Sequence, residues 1–552
     1  MKKKLLLVLR ILLWLLPVSI LGSAILAEVY FSQKEELAIA RRSLLEGDLG
    51  GAAEIYSQLA GSFWVGEEAL AGKAIVQCLR NEPVSRAAPI PNVSLQTFPG
   101  NLLLIQSFQN REFSACLRLA ELLSGAVPNG LAAIFKASAL IELNRFDEAA
   151  EAWGVVSASR RESWFGERLQ SVLLRLGDST KAFVYDRRGV PLGVVDSEGN
   201  FKPDPPIDLT LLQSTPVKKA LKDDAGDGIR LSIDLDLTRT AQEALTGYRG
   251  SIVMLEPETG EILAAVSDSQ TLKRESFPAF KQLREPASIS KLITTTASLR
   301  AGLDVDSEIA KMNCSGAERY HGGVLYCAYR AGPLGGLDRA MAVSCNIAFA
   351  NLGVRIGRSS LLSELRRFGF DREGADGFEF GRVEGAVRNG RELADLSIGL
   401  EATSITPLHA ALIAATFANG GSMPEPRVTH ASDGRLGLSP SVFEAEEGIE
   451  VIDPEMSAIG VGSMEAVTRF GGTGYNLAPA GFTFAMKTGT ASDGRTGYHT
   501  NYIGFFPVAD PKVVFCVRVT HQATSSRVRR ATVKVMRKFL HSLDELLKSR
   551  TL

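Results

Sequence analysis

Two sets of strand-like runs stand far apart in this chain, with helical sequence between them. Ser251 to Leu255 and Ile262 to Ser267 are apolar runs joined by Pro257-Glu258-Thr259-Gly260, turn chemistry suited to a hairpin. Far downstream, Gly481 to Met486 alternates into Lys487-Thr488-Gly489-Thr490, and Tyr502 to Phe506 and Val513 to Val519 flank Pro507 to Pro511. A basic amphipathic helix, roughly Arg530 to Leu547, closes the chain. From Ser288 to about Phe417 helical pattern dominates, with Pro407 and Gly420-Gly421 as punctuation. Strands at both ends of one segment and helices in its middle predict an α+β fold. One antiparallel sheet is flanked by helices and carries an inserted all-helical lobe.

The N-terminus reads Met1-Lys2-Lys3-Lys4 and then runs apolar from Leu5 to Ala27, broken only by Arg10. Such a run is long enough to span a bilayer, and the lysines are expected on the cytoplasmic side. A cleaved signal peptide is the alternative, but Ala24-Ile25-Leu26-Ala27 offers no clean small-x-small cleavage site, which favours a retained anchor. The expectation is a single-pass protein of the cytoplasmic (inner) membrane with its bulk extracytoplasmic, or periplasmic. The 61 basic and 62 acidic residues balance, and no dense basic tract carries interleaved aromatics, so a nucleic-acid partner is not expected. Six cysteines include Cys314 and Cys327, close in sequence in a Gly- and Asn-containing loop. An oxidising compartment permits a disulfide there; two free thiols are the alternative. No CxxC or HExxH spacing supports a metal site.

Residues from about 33 to 178 read as helical and rich in Ala and Leu. Related phrases recur at Glu46-Gly47-Asp48-Leu49, Asn110-Arg111-Glu112-Phe113 and Asn144-Arg145-Phe146-Asp147, with Phe113 and Phe146 about 33 residues apart. This looks like a divergent tetratricopeptide-type array, either a partner-binding surface or a helical spacer. The chain thus divides into 1–30, tail and anchor; 31–180, the tetratricopeptide-like region; 181–230, a short β linker or pedestal; and 231–552, the α+β domain.

The chemistry centres on Ser288-Ile289-Ser290-Lys291. Residues three apart on a helix share a face, so Lys291 can lie against the Ser288 hydroxyl. Desolvation and cationic neighbours lower a lysine pKa until its neutral amine accepts that proton. Ser344-Cys345-Asn346 and Lys487-Thr488-Gly489 follow in order. Order and spacing resemble the penicilloyl-serine transferase superfamily, specifically the transpeptidase domain of penicillin-binding proteins. Glu285-Pro286, Thr406-Pro407-Leu408, Ala418-Asn419-Gly420-Gly421 and Phe505-Phe506-Pro507 fit the same family. Ala287 departs from it, standing where the family often has glycine. So does Arg330 to Gly336, which lacks the Gly-His-Gly common before the second motif.

The resemblance implies Ser288 as nucleophile and Lys291 as base. It implies Ser344 as proton relay between Lys291, Lys487 and the leaving amine, and Asn346 as orienting group. Lys487, Thr488 and Thr490 would face the substrate carboxylate, Gly489 would leave room at the strand edge, and the N–H groups of Ser288 and Thr490 would form an oxyanion hole. His499 and His521 read as surface-loop residues. The implied activity is a monofunctional D,D-transpeptidase that cross-links peptidoglycan stem peptides ending in D-Ala-D-Ala and is acylated by β-lactams, with no cofactor. A D,D-carboxypeptidase or endopeptidase shares every motif. A β-lactamase or β-lactam sensor would need a deacylating base or signalling domain that the sequence does not display. A scaffold for cell-wall proteins, working through the helical repeats with a weak or inactive catalytic domain, is the reading from another class.

Overall fold

The computed structural model describes residues 28–44, 48–62, 65–79, 98–126, 131–156, 180–203, 210–223 and 226–551, apart from short stretches inside those ranges, and isolated helical residues between 161 and 174. The apolar run of 5–27 and most of the Pro-rich break at 83–99 lie outside the described residues. Among the described residues no helix is long and apolar enough to cross a membrane. The chain forms two compact units: Met1–Thr180 with Asp433–Pro440, and Lys181–Ser432 with Ser441–Leu552.

The first unit is helical: α1 (28–44), α2 (Leu49–Leu59), α3 (Gly66–Leu79), α4 (Phe98–Gln109), α5 (Phe113–Ala126), α6 (Leu131–Glu142) and α7 (Phe146–Gly154). The sequence repeat is repeated in the backbone. Arg111 N bonds Phe108 O and Glu112 N bonds Ser107 O; the same two bonds recur from Asn144 to Ile141 and from Arg145 to Leu140. Arg111 and Asn144 both take left-handed φ, 62° and 60°, so each turn reverses the chain at the same point. Asp48 N to Ser43 O matches the Glu112 bond about two repeats earlier. Phe108 packs edge-on against Phe113 and Phe135. Glu142, at the end of α6, is buried and accepts the N–H groups of Arg435 and Leu436.

The second unit holds two main sheets. One is six-stranded: β1 (Thr180–Tyr185), β2 (Pro191–Asp196), β3 (Phe201–Pro203), β4 (Gly228–Leu231), β7 (Thr429–Asp433) and β8 (Ser441–Val442), ordered β8-β7-β4-β1-β2-β3. Two of its strands arrive from far along the chain, a recruitment that no local pattern in 181–230 announces.

The other sheet is antiparallel and five-stranded, built from β5 (Gly250–Leu255), β6 (Ile262–Ser267), β9 (Ala485–Ser492), β10 (Tyr498–Phe506) and β11 (Val513–Gln522) in the order β9-β10-β11-β5-β6. The predicted hairpin pairs Ser251 with Ser267, and β11 closes onto β5 by pairing Val517 with Ile252. Thus the two ends of the domain meet in one sheet. Every residue of β5 is buried. That continuity follows from cover on both faces. On one face Phe515 packs on Phe539 of the closing helix α14 (Ser525–Thr551). On the other, Arg518 bonds Ile405 O, just before α12 (Pro407–Ala418). Odd and even strand positions point to opposite faces. Other helices of this unit are α8 (Thr215–Asp223), α9 (Leu235–Leu245) and α13 (Pro454–Thr468). The inserted lobe includes α10 (Ser290–Arg300) and α11 (Asn346–Arg367), which pack on each other. It is not all-helical as expected: Ala317–Tyr320 pairs with Gly323–Tyr326, and Asn313–Cys314 with Gly332–Pro333, short pairings too brief to leave an alternating pattern in the sequence.

Candidate active site

Ser288 sits in a 3₁₀ turn, Ala287–Ile289, that runs into α10. The turn is entered through Ala287 at φ 52°, a left-handed value costly for a residue with a Cβ. The Ala287 N–H bonds Gly399 O at 2.8 Å. A side chain on Gly399 would meet Ala287 O at 2.4 Å, so the two segments close on each other only because position 399 is glycine. Ser288 remains partly exposed, whereas Lys291 is fully buried below it.

Lys291 Nζ donates to Ser344 O at 2.6 Å, to Asn346 Oδ1 at 2.8 Å and to Ser344 Oγ at 3.1 Å. Ser344 Oγ also takes a bond of 3.0 Å from Lys487 Nζ, which in turn donates to Thr488 O at 2.8 Å. Five of the residues expected from the sequence therefore lie near one point, with Ser344 Oγ as the bridge. Ser344 is itself left-handed, φ 53°, at the turn between helix Leu337–Ala342 and α11. Asn346 Nδ2 donates to Tyr326 O at 2.8 Å, which fixes the amide with its oxygen toward Lys291.

Both ammonium groups are buried and neither has a carboxylate partner in this cluster. Burial lowers the Lys291 pKa to about 8, against an opposing pull from Cys345, Cys327 and Cys314. Burial and then the charge of Lys291 hold Lys487 well below the ordinary lysine value. Repulsion between two amines on one hydroxyl oxygen favours loss of a proton from the pair. The arrangement can therefore present a neutral amine one helical turn from Ser288.

Thr488, Gly489 and Thr490 lie on β9, the edge strand, whose outer side has no strand neighbour in the five-stranded sheet. An edge offers unpaired backbone groups to an extended ligand. A Cβ on Gly489 would stand 2.9 Å from Pro286 O and 3.3 Å from the Ala287 side chain. Thr490 is half-buried, while the Thr488 hydroxyl is paired with that of Thr473 at 2.8 Å.

Some residues of this site were missed. His499, expected on a surface loop, is instead fully buried in β10, with Nε2 2.9 Å from Glu285 O. Asn501 Nδ2 donates to the same carbonyl at 2.9 Å, and Arg518 Nε donates to Asn501 Oδ1 at 2.6 Å. Arg518, also fully buried, reaches Gln282 O and Ile405 O. This network holds the Glu285-Pro286 segment that leads into Ser288. The signal was present: a charge inside the apolar run Val517-Arg518-Val519, which only internal acceptors can satisfy. Thr473 gave no comparable signal.

Cys314 and Cys327 carry free thiols with sulfurs 3.6 Å apart, and a third, Cys345, lies 3.7 Å from Cys327. Among the described residues this trio alone forms a group of soft ligand atoms within 4.8 Å of one another.

The sequence pattern of the penicillin binding protein transpeptidase domain matches residues 250–540. The chain belongs to the penicillin-binding protein transpeptidase family. It is 30% identical to peptidoglycan D,D-transpeptidase PbpA of Mycolicibacterium smegmatis over 361 residues, 56% of this chain and 73% of that protein. PbpA of Mycobacterium tuberculosis is 30% identical over 319 residues, 50% of this chain and 62% of that protein. Among solved structures, PBPA from M. tuberculosis superposes with a TM-score of 0.55 at 24% identity, covering 66% of this chain and 98% of that one. The D,D-transpeptidase domain of a peptidoglycan glycosyltransferase from Eggerthella lenta gives 0.56 at 22% identity, with 66% and 98% covered. At these identities the structural likeness speaks for the fold.

Proposed function

We propose that this chain is a membrane-anchored, monofunctional D,D-transpeptidase that cross-links peptidoglycan stem peptides through an acyl-serine intermediate and is inhibited by β-lactams. The observation that carries the reading is the pair of buried lysines joined through the Ser344 hydroxyl, with Lys291 three residues on from a partly exposed Ser288. The activity named for the PbpA relatives supports it.

Neutral Lys291 takes the Ser288 proton as Oγ attacks the carbonyl of the penultimate D-Ala. Backbone N–H groups of Ser288 and Thr490 receive the oxyanion. As the C–N bond breaks, the proton returns from Lys291 through Ser344 to the leaving D-Ala amine. An amine of a second stem peptide then attacks the ester; the C–N bond forms as the C–O bond to Ser288 breaks, and Lys291 passes the proton lost by the amine to Ser288 Oγ. Asn346 orients Lys291 throughout. Lys487 holds positive charge near the substrate carboxylate, which Thr488 and Thr490 meet with hydroxyls. The run from Leu5 to Ala27 is the anchor and places residues 31–552 outside the cytoplasm. The tetratricopeptide-like repeats of 31–180 serve a cell-wall protein partner.

Labelling of the full chain with a fluorescent penicillin, beside Ser288→Ala, tests the reading. A stable covalent band lost in the variant is expected; an unlabelled but folded wild-type protein would sink it. Product analysis with an added acceptor amine then separates amide exchange from hydrolysis by a D,D-carboxypeptidase.

A further inference from the structure

Three sulfurs meet next to the residues that bond Lys291. Cys314 ends the short strand Asn313–Cys314, Cys327 follows the strand Gly323–Tyr326, and Cys345 lies between Ser344 and Asn346. Separations of 3.6 Å and 3.7 Å leave all three unbonded, since a disulfide needs about 2.05 Å. Cys327 is the hub. It accepts the Asn346 N–H, at the start of α11, at 3.2 Å, and the Cys314 thiol donates to it.

A sulfur at a helix N-terminus that collects N–H and S–H donors is in the setting of a thiolate. The neighbouring Cys345 thiol, foremost, and these donors hold the Cys327 pKa well below the usual thiol range. The same contact, and burial, push Cys345 the other way. These contacts favour a thiolate on Cys327 over one on either neighbour. Cys314 and Cys345 are buried, whereas Cys327 is half-buried, so a small oxidant from solvent meets Cys327 first. The trio also acts on Lys291, whose depressed pKa it partly restores.

We propose that Cys327 is a redox-active thiol, oxidised by peroxide and resolved by Cys345 or Cys314, whose state sets the negative charge beside Lys291 and thereby tunes the catalytic base. The inference rests on the acyl-serine reading of this site. In the first step the Cys327 thiolate attacks one peroxide oxygen; the S–O bond forms and the O–O bond breaks. The hydroxide released takes a proton from solvent and leaves as water. In the second step the resolving thiol attacks the sulfenic sulfur, the S–S bond forms, and the hydroxide lost takes that thiol's proton to leave as the second water. Two thiols are oxidised by two electrons in all, and one peroxide is reduced to two waters. The negative charge disappears whichever thiol resolves, so Lys291 loses its proton more readily.

The test uses the full chain in detergent and a fluorescent penicillin. The acylation rate is followed against pH before and after hydrogen peroxide, and disulfides are mapped by peptide mass spectrometry. Expected are one disulfide containing Cys327 and a rising limb of the pH profile displaced to lower pH by at least about half a unit. Cys327→Ser should show the displaced limb from the start and no response to peroxide. A Cys327 disulfide with an unmoved profile would overturn the proposal, as would peroxide treatment that yields none. Stoichiometric zinc on the purified chain that blocks oxidation until chelated would also overturn it, in favour of a metal site. Failure of the reduced protein to label at all would count against the acyl-serine reading instead, and the disulfide map would still report on Cys327.

Discussion

Two buried charge clusters in the second unit are built on opposite rules. At Glu261, 1% exposed, one carboxylate faces Arg427 at 2.8 Å, His430 at 2.9 Å and Arg187 at 3.3 Å. Burial pushes its pKa up, but the His430 bond and the arginine charges outweigh this and hold it below the ordinary glutamate value. At Lys291 and Lys487 two buried amines share a serine hydroxyl with no carboxylate between them. In the first cluster the buried carboxylate faces cations that keep it ionised. The second is left with a group that titrates in the working range. An unmatched buried charge is costly, and a fold retains it where chemistry needs an amine that can give up its proton.

The sharpest way to break this contrast is Lys291→Met. Acylation by penicillin should fall on the order of 10²- to 10⁴-fold, the usual worth of a positioned base. The melting temperature should hold or rise, because an apolar chain replaces a buried amine. A variant that labels normally would remove Lys291 from the chemistry.

Glu261→Gln should do the reverse. With Arg187 and Arg427 unmatched, stability should drop by about 2–4 kcal/mol in denaturant titration, discounted from the fully buried case because both arginines keep some solvent. The surviving folded protein should be acylated at the wild-type rate; a lost rate at constant stability would erase the distinction between the clusters.

The pH dependence sharpens it further. Acylation should rise with pH through about 8, where Lys291 loses its proton. Because its folded pKa lies below the ordinary 10.5, the unfolded chain binds more protons between those two values, and stability should climb with pH across that window. A rate flat from pH 6 to 9 would mean that Lys291 is not the titrating base.

The smallest effect belongs to Ala287→Gly. It relieves a left-handed alanine but frees the unfolded chain, so stability should change by within about 1 kcal/mol. A loss of several kcal/mol would show that the Ala287 side chain matters more than its strain.

What the sequence disclosed follows distance along the chain. Ser288 and Lys291 were legible because one helical turn relates them, and the α+β sheet because its strands carry their own pattern. Ser344 and Lys487 were placed by motif order rather than by anything local. The sequence did not disclose what long-range pairing creates. His499 looked like a loop residue because nothing nearby says that β10 begins at Tyr498 and turns its ring onto Glu285 O. Cys345 was absorbed into a motif, so its approach to Cys327 went unread, and β7 joins β4 from almost two hundred residues away.

The most direct measurement is intact-mass and peptide analysis of the full chain after exposure to penicillin G. One adduct per chain is expected, on the peptide carrying Ser288, and absent from Lys291→Met over the same minutes. An adduct on another residue, or equal adduct on the variant, would contradict it.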